Sequence, residues 1–399
     1  MMTRPSPARD DAAPRLAKPV ERWAAVFSVA VASFALVTTE FLPVGLLSAI
    51  AQDLGVSVGA AGLMISLPGA TAALAAPILT VLSRTLDRRV LLLAMTACLI
   101  GADVVSALTP NFALMLAARA VLGVAIGGFW AVGAAVGGRL VGETQAGRAT
   151  AIIFSGISLG ALLGVPVGVF LGALSGWRTA FWAAGGLSLV ILIAQAVWLP
   201  KLPGLRAVQV KDLFGIFANR NARVGLLAVF FAVAGQFAAY TFVNPVLLDV
   251  TRLTPTALSQ VFFAYGVAGF FGNFLGGHGA GKNVRAAKFV VLLALGGVII
   301  AFAQLAAHPP AAILLLTAWG LVWGGLPILH QAWAMRASPG MAEGGSALFV
   351  SVFQGSIAIG SGLGGAAVET VGLVWGLTLG GLSILIALVV SVLGSKPFR

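Results

Sequence analysis

ATAIIFSGISLGALLGVPVGVFLGA, residues 149–173, carries no Asp, Glu, Lys or Arg, and the fold is decided here. At about 1.5 Å of rise per residue, a helix of this length crosses the roughly 30 Å hydrocarbon core of a bilayer. Gly156, Gly160, Gly164, Gly168 and Gly172 recur every fourth residue, on nearly one face, where another backbone can approach closely. Pro166 stands among them, lacks an N–H and permits a bend. The stretch reads as a membrane span with a hinge-like packing face, with generic helix packing as the plainer alternative.

Composition extends this reading to the whole chain. Of 399 residues, 59% are apolar and only 9% are charged, against about 25% charged in an ordinary soluble protein. Too few charges are present to cover a water-soluble surface, and the apolarity excludes disorder. Fifty-one glycines, two tyrosines and long continuous apolar runs fit packed helices rather than the alternating segments of a β-barrel. The runs place spans near 24–50, 59–81, 90–109, 113–137, 149–173, 178–199, 224–249, 257–277, 287–306, 311–334, 344–368 and 371–394. The expected organisation is a tail (1–22), a six-helix bundle (23–199), a linker (200–223), a second bundle (224–394) and a short end (395–399). The fold class is therefore an all-α polytopic membrane protein. The polar segment before the first span lacks a small-residue cleavage site and reads as a retained tail rather than a signal peptide. Cys98 lies alone in an apolar run and says nothing of redox compartment.

The net charge of +12 would suit nucleic acid if it were clustered, but it alternates with the spans. Cations fill the tail (Arg4, Arg9, Arg15, Lys18, Arg22), loop 2–3 (Arg84, Arg88, Arg89), loop 4–5 (Arg139, Arg148) and the linker (Lys201, Arg206, Lys211, Arg220, Arg223). Loop 8–9 adds Lys282, Arg285 and Lys288, loop 10–11 adds Arg336, and the end adds Lys396 and Arg399. Arg178 and Arg252 fall on the opposite side, and Arg119 within a span. The positive-inside rule puts both termini in the cytoplasm of a bacterial inner-membrane protein. The basic excess needs no nucleic-acid partner.

Several apparent catalytic motifs dissolve on inspection. Gly276, Gly281 and Lys282 mimic a phosphate loop, but Asn283 replaces the Ser or Thr that would ligate Mg²⁺, and no strand precedes them. Gly360, Gly362 and Gly365 lie in an apolar helix and serve packing. His278, His308 and His330 lack metal-ligand spacing. No enzyme, metal or cofactor is expected, so work would draw on an ion gradient.

Three charges inside the apolar runs point to that gradient. Arg119 opens the fourth span, where an arginine is costly unless it is paired or faces water. Glu40 lies in Thr38-Thr39-Glu40-Phe41-Leu42-Pro43, about 26 Å along the first span from Trp23, in its outer third. A carboxyl shielded from water can take up and release a proton within a physiological range. The plainer alternatives put Arg119 at the outer headgroups, and Glu40 at the interface where Pro43 breaks the helix. Asp103, in the third span, is a similar candidate. Asp87 would cap the third span and, with Arg88, clasp the inner face. Phe129 and Trp130, then Gln236, Tyr240 and Asn244 at four-residue steps, with His330, Gln331 and Gln354, mark a cavity lining suited to a flat or hydroxylated solute.

Together these features resemble the major facilitator superfamily, in its twelve-span drug–proton antiporter branch. The Asp87-Arg88 loop resembles that family's inner-loop motif, with Ser83 and Val90 in place of its usual glycines. Arg119 through Gly123 to Gly127 resembles the fourth-span motif associated with proton coupling. Gly156 to Gly172 with Pro166 resembles the antiporter motif of span five. Glu40-Phe-Leu-Pro-Val, Gly127-Gly-Phe-Trp130-Ala, Gly176-Trp-Arg178 and Gly235 to Pro245 are similar to bacterial purine-ribonucleoside and sugar exporters, with Asn244 where a charged residue is expected. The resemblance implies two six-helix bundles that rock about a midplane site. It implies proton-driven export of a purine nucleoside or sugar-like solute by a monomer. Glu40 would carry the proton and Arg119 would tune it. Trp130, Gln236, Tyr240, Asn244 and His330 would contact the solute. Multidrug export and a non-transporting membrane sensor are the alternatives.

Overall fold

The computed structural model describes residues 22–82, 86–203, 219–337 and 342–395, and every regular element among them is helical. The tail before residue 22, Ser83 and Arg84 of loop 2–3, Arg206 and Lys211 of the linker, and Lys396 and Arg399 lie outside the described residues.

The first six spans are α1 (Trp23–Asp53), α2 (Leu63–Leu82, entered through the short turn Val58–Ala61), α3 (Arg88–Leu108), α4 (Phe112–Val141), α5 (Ala146–Ser175) and α6 (Trp177–Trp198). α7 (Arg220–Tyr240) continues past a kink through Val243–Pro245 and a wide π turn, Val246–Val250. There Pro245 supplies no N–H to an ordinary helical ladder. The next helix, Pro255–Leu305, is 51 residues long. At about 1.5 Å per residue it is far too long for one crossing. Asn283 breaks it, with φ −156° and ψ 92°, giving α8 (255–282) and α9 (284–305). The Asn283 side chain then caps the second arm, accepting a 3.1 Å hydrogen bond from the Ala286 N–H. α10 (Pro309–Ala337), α11 (Ala342–Val371) and α12 (Leu373–Gly394) complete twelve spans.

Two differences from the expected boundaries matter. α1 runs through Pro43 to Asp53 without the break offered as the plainer alternative, so Glu40 lies close to the middle of a 31-residue helix rather than in its outer third. No loop separates α8 from α9. Lys288, expected as a loop cation, is therefore a helical residue and is fully buried.

The packing repeats with six spans added. α1 packs on α5 as α7 packs on α11, and α2 on α4 as α8 and α9 pack on α10. The two six-helix bundles meet along α2–α11 and α5–α8. Apolar residues from both bundles form one continuous core, including Leu47, Met64, Phe237 and Phe242.

α5 shows why its glycines are spaced as they are. Gly156 faces the backbone of Ala30 and Phe34, Gly160 faces Phe34 and Val37, Gly164 faces Thr38, Gly168 faces Leu42 and Gly172 faces Leu46. The face is a seam with α1 inside the first bundle, tightened by a 2.6 Å bond from the Ser33 hydroxyl to the Ile153 carbonyl. Pro166 acts toward the other bundle. Its missing N–H frees the Leu162 carbonyl, against which Gly266 of α8 packs, and the Pro166 carbonyl accepts from the Ser259 hydroxyl at 3.0 Å.

Candidate functional site

Glu40, Arg119 and Asp103 come together at the centre of the first bundle. All three are buried, at 4%, 1% and 0% exposure. Thr39 joins two of them. Its carbonyl accepts from the Arg119 guanidinium at 2.7 Å, and its hydroxyl donates to Asp103 Oδ2 at 3.3 Å. Ser188 of α6 donates to the same oxygen at 3.5 Å. The guanidinium also lies 4.9 Å from the centre of the Phe181 ring, a cation–π contact. Arg119 thus faces inward rather than the headgroups.

No direct ion pair within 4 Å joins Arg119 to either acid among the described residues. Asp103 Oδ1 and the Arg119 Nε and Nη2 atoms are buried without a hydrogen-bond partner. Such orphaned polar atoms are costly in a dry interior. The cluster is not a closed structural salt bridge.

Glu40 reaches the edge of its bundle. Gln354 of α11 donates from Nε2 to Glu40 Oε1 at 3.1 Å, which ties the cluster to the second bundle. Half-buried aromatic rings stand on helices of both bundles: Phe41 of α1, Trp323 of α10 and Phe353 of α11. Phe41 stacks on Phe237 with ring centres 5.4 Å apart, and Trp323 and Phe353 tilt together at 6.4 Å. On the first bundle Trp130 lies beside Phe154 at 5.5 Å and is half-buried, whereas Phe129 is fully buried behind it.

The other expected contact residues are spread more widely. Gln236 is fully buried; its Oε1 accepts from the Trp319 indole at 2.7 Å and its Nε2 donates to the Tyr265 hydroxyl at 3.3 Å. Tyr240 stacks on Tyr265 at 5.0 Å in the same aromatic knot. Gln331 is half-buried. Asn244 does not face a cavity. It donates to the Gly45 carbonyl at 2.7 Å and accepts from the Ser48 N–H at 3.2 Å, because α7 passes α1 closely at this level. His330 is also displaced from the seam. It is 1% exposed, and neither ring nitrogen has a partner. Lys288 on α9 is its charged neighbour, and the Lys288 ammonium sits 4.3 Å from the centre of the Trp333 ring.

Asp87 caps α3 as expected, accepting from the Arg89 N–H at 2.8 Å. It clasps backbone rather than a cation, since the same carboxyl oxygen takes the Leu202 N–H at 2.9 Å. Arg88 contributes its N–H to the Leu202 carbonyl at 2.8 Å. This pair fastens the start of α3 to the segment leaving α6.

Hydrogen bonds across the seam between described residues run from the level of Glu40 to the end away from the termini. Asn244 reaches Gly45 and Ser48; Ser361 donates to the Gly62 carbonyl at 2.9 Å. Glu369 of α11 accepts from the Ser57 hydroxyl and, at 3.1 Å, from the Ala60 N–H. Gly59 and Gly365 bring their backbones together, and a side chain on either would collide with the other helix. The seam is sealed on the face away from the termini.

Thr39, Ser188, Phe181, Tyr265, Trp319 and Trp323 belong to these sites without having stood out in the sequence. Trp319 and Trp323 are one helical turn apart, and that spacing was the available signal.

Residues 29–361 match the sequence signature of the Major Facilitator Superfamily. A Pseudomonas aeruginosa protein named "Transcription regulatory protein OpdE" is 36% identical over 354 residues, covering 88% of each chain. The "Purine ribonucleoside efflux pump NepI" of Salmonella paratyphi B is 32% identical over 370 residues, covering 92% of this chain and 93% of its own. Among solved structures, a bacterial homologue of the human lysosomal transporter Spinster, in an inward-facing and occupied conformation, superposes with a TM-score of 0.77. It is 16% identical, and the match covers 95% of this chain and 97% of that one.

Proposed function

We propose, for a chain that belongs to the Major Facilitator Superfamily and is one of its multi-pass membrane transporters, proton-coupled export of purine ribonucleosides. The observation that carries this reading is the position of Glu40. It is a buried acid at the seam between bundles, beside Arg119 and bonded to Gln354 of the opposite bundle. A proton on that acid changes the charge at the point where the bundles must part. Arg119 and Asp103 set the field in which the exchange occurs. The aromatic rings of Phe41, Trp130, Trp323 and Phe353 offer faces for a flat base. The relatives named as purine ribonucleoside efflux pumps support the cargo class.

The positive-inside rule assigns the terminal face to the cytoplasm of a bacterial inner membrane. The sealed face is then external. A single chain contains both bundles and acts as a monomer. Cycling is a rocking of one bundle against the other.

Purified protein in proteoliposomes tests the coupling. An imposed pH gradient drives adenosine accumulation in the wild type. Glu40→Gln abolishes that accumulation. Wild-type accumulation by Glu40→Gln removes the residue from the proposed role.

One observation favours a second reading. The relative at 36% identity carries the name of a transcription regulatory protein, which suits a membrane sensor that retains a transporter fold. Flux separates the two: a sensor binds ligand yet moves none of it across the membrane.

A further inference from the structure

Gln354 holds Glu40 across the seam between the bundles. The amide is 7% exposed and donates one N–H to Glu40 Oε1. Other seam hydrogen bonds involve backbone groups or lie at the sealed end, where Glu369 meets Ser57. A carboxamide carries two N–H donors and one carbonyl with two lone pairs. Its bond to Glu40 therefore leaves one donor and the carbonyl. Those two groups form the edge that reads an adenine bidentately, accepting from its amino group and donating to a ring nitrogen. Phe41 and Phe353 belong to one run of aromatic rings that crosses the seam, through Phe237 and Trp323.

The two states of Glu40 use the amide differently. An ionised carboxylate is acceptor-only. It takes one N–H in a charge-assisted bond and leaves the donor–acceptor edge free. A protonated Glu40 gains an O–H donor. It can pair with the amide in a closed ring, O–H to the Gln354 carbonyl and N–H to the Glu40 carbonyl. That ring consumes the edge.

We propose that Gln354 makes proton and cargo mutually exclusive: its amide edge binds the base of a purine ribonucleoside when Glu40 is ionised, and pairs with Glu40 when it is protonated. The inference rests on the reading of Glu40 given above. It requires no contact between cargo and Glu40, and it gives the sign that antiport needs. The loaded carrier has no proton on Glu40, and the protonated carrier is empty. The charged groups near Glu40 are Arg119 on α4 and Asp103 on α3. The side chains turned toward this region from α6, α7 and α11 are the uncharged Ser188, Phe181, Phe237 and Gln354, and α5 brings Gly164 against Thr38.

Adenosine binding to the purified full chain, followed by titration calorimetry between about pH 5.5 and 8.5, tests the exchange. Wild-type affinity falls as pH is lowered, and binding in a weak buffer at the acid end releases about one proton. Gln354→Leu weakens binding about 10-fold at high pH, in keeping with the loss of one bidentate pair, and its residual binding no longer varies with pH. Binding without proton release in the wild type overturns the proposal without recourse to any variant. So does a wild-type pH dependence in folded Gln354→Leu, while leaving the Glu40 reading intact. Persistence of that dependence in Glu40→Gln instead removes Glu40 itself. No saturable binding of adenosine, inosine or guanosine to the wild type overturns the cargo class.

Discussion

Lys288 buries an amine where the helix interior offers it little. It is fully buried, its amine has no hydrogen-bond partner, and the one favourable contact described is the Trp333 face. His330 beside it has both ring nitrogens unpartnered. Replacing a poorly compensated buried charge by an apolar side chain of similar volume is commonly neutral or stabilising, by about 1–4 kcal/mol. Lys288→Met should therefore raise the thermal unfolding midpoint of the purified protein in detergent, and a lowered midpoint would show that the amine holds the bundle together. The sequence placed Lys288 in a loop because a cation between two apolar runs looks like a topology signal. The single-residue break at Asn283 hides from any window-based reading. The opposite holds for Arg119, Asp103 and Glu40. A charge within an apolar run is legible as such, and folding brought all three together. Thr39, which bridges two of them, was not legible, because an isolated threonine in a span usually bonds only to its own helix.

Helix–helix seams decide whether a glycine matters. At Gly156 an added methyl would meet the Ala30 carbonyl and the Ser33 hydroxyl at 2.2 Å. At Gly101 it would meet nothing within 4 Å. Gly156→Ala should cost about 1–3 kcal/mol, as overpacking does, and lower the melting temperature. Gly101→Ala should leave it unchanged or raise it, since alanine is the better helix former. Equal effects in a thermal melt would deny that the α1–α5 seam is rigid backbone packing. The five-glycine period made this seam visible in advance, but its partner was not. Periodicity shows that a close approach exists, whereas only the three-dimensional arrangement shows that α1 lies in it and that Pro166 serves the other bundle. Asn244 illustrates the same limit. Its four-residue spacing from Gln236 and Tyr240 suggested a shared cavity face, but the kink after Tyr240 turns it toward α1.

Considered as a whole, the molecule is closed at the end away from the termini. Transport by rocking requires the closed end to open in each cycle. A cysteine pair at Ser57 and Glu369, in a chain whose Cys98 is replaced by Ser, should crosslink under mild oxidation, since the native side chains are in hydrogen-bond contact. The crosslinked protein should lose more than about 90% of adenosine exchange, and a reductant should restore it. Full exchange in the crosslinked form would mean that this face does not move.

Asn283 also bears on how the chain enters the membrane. A single non-helical residue leaves no hydrophilic tether on which α8 could wait at the surface while α9 is still being synthesised. The two arms are then expected to leave the insertion channel together. A few residues grafted next to Asn283, harmless in a long surface loop, would then be expected to stall biogenesis rather than transport.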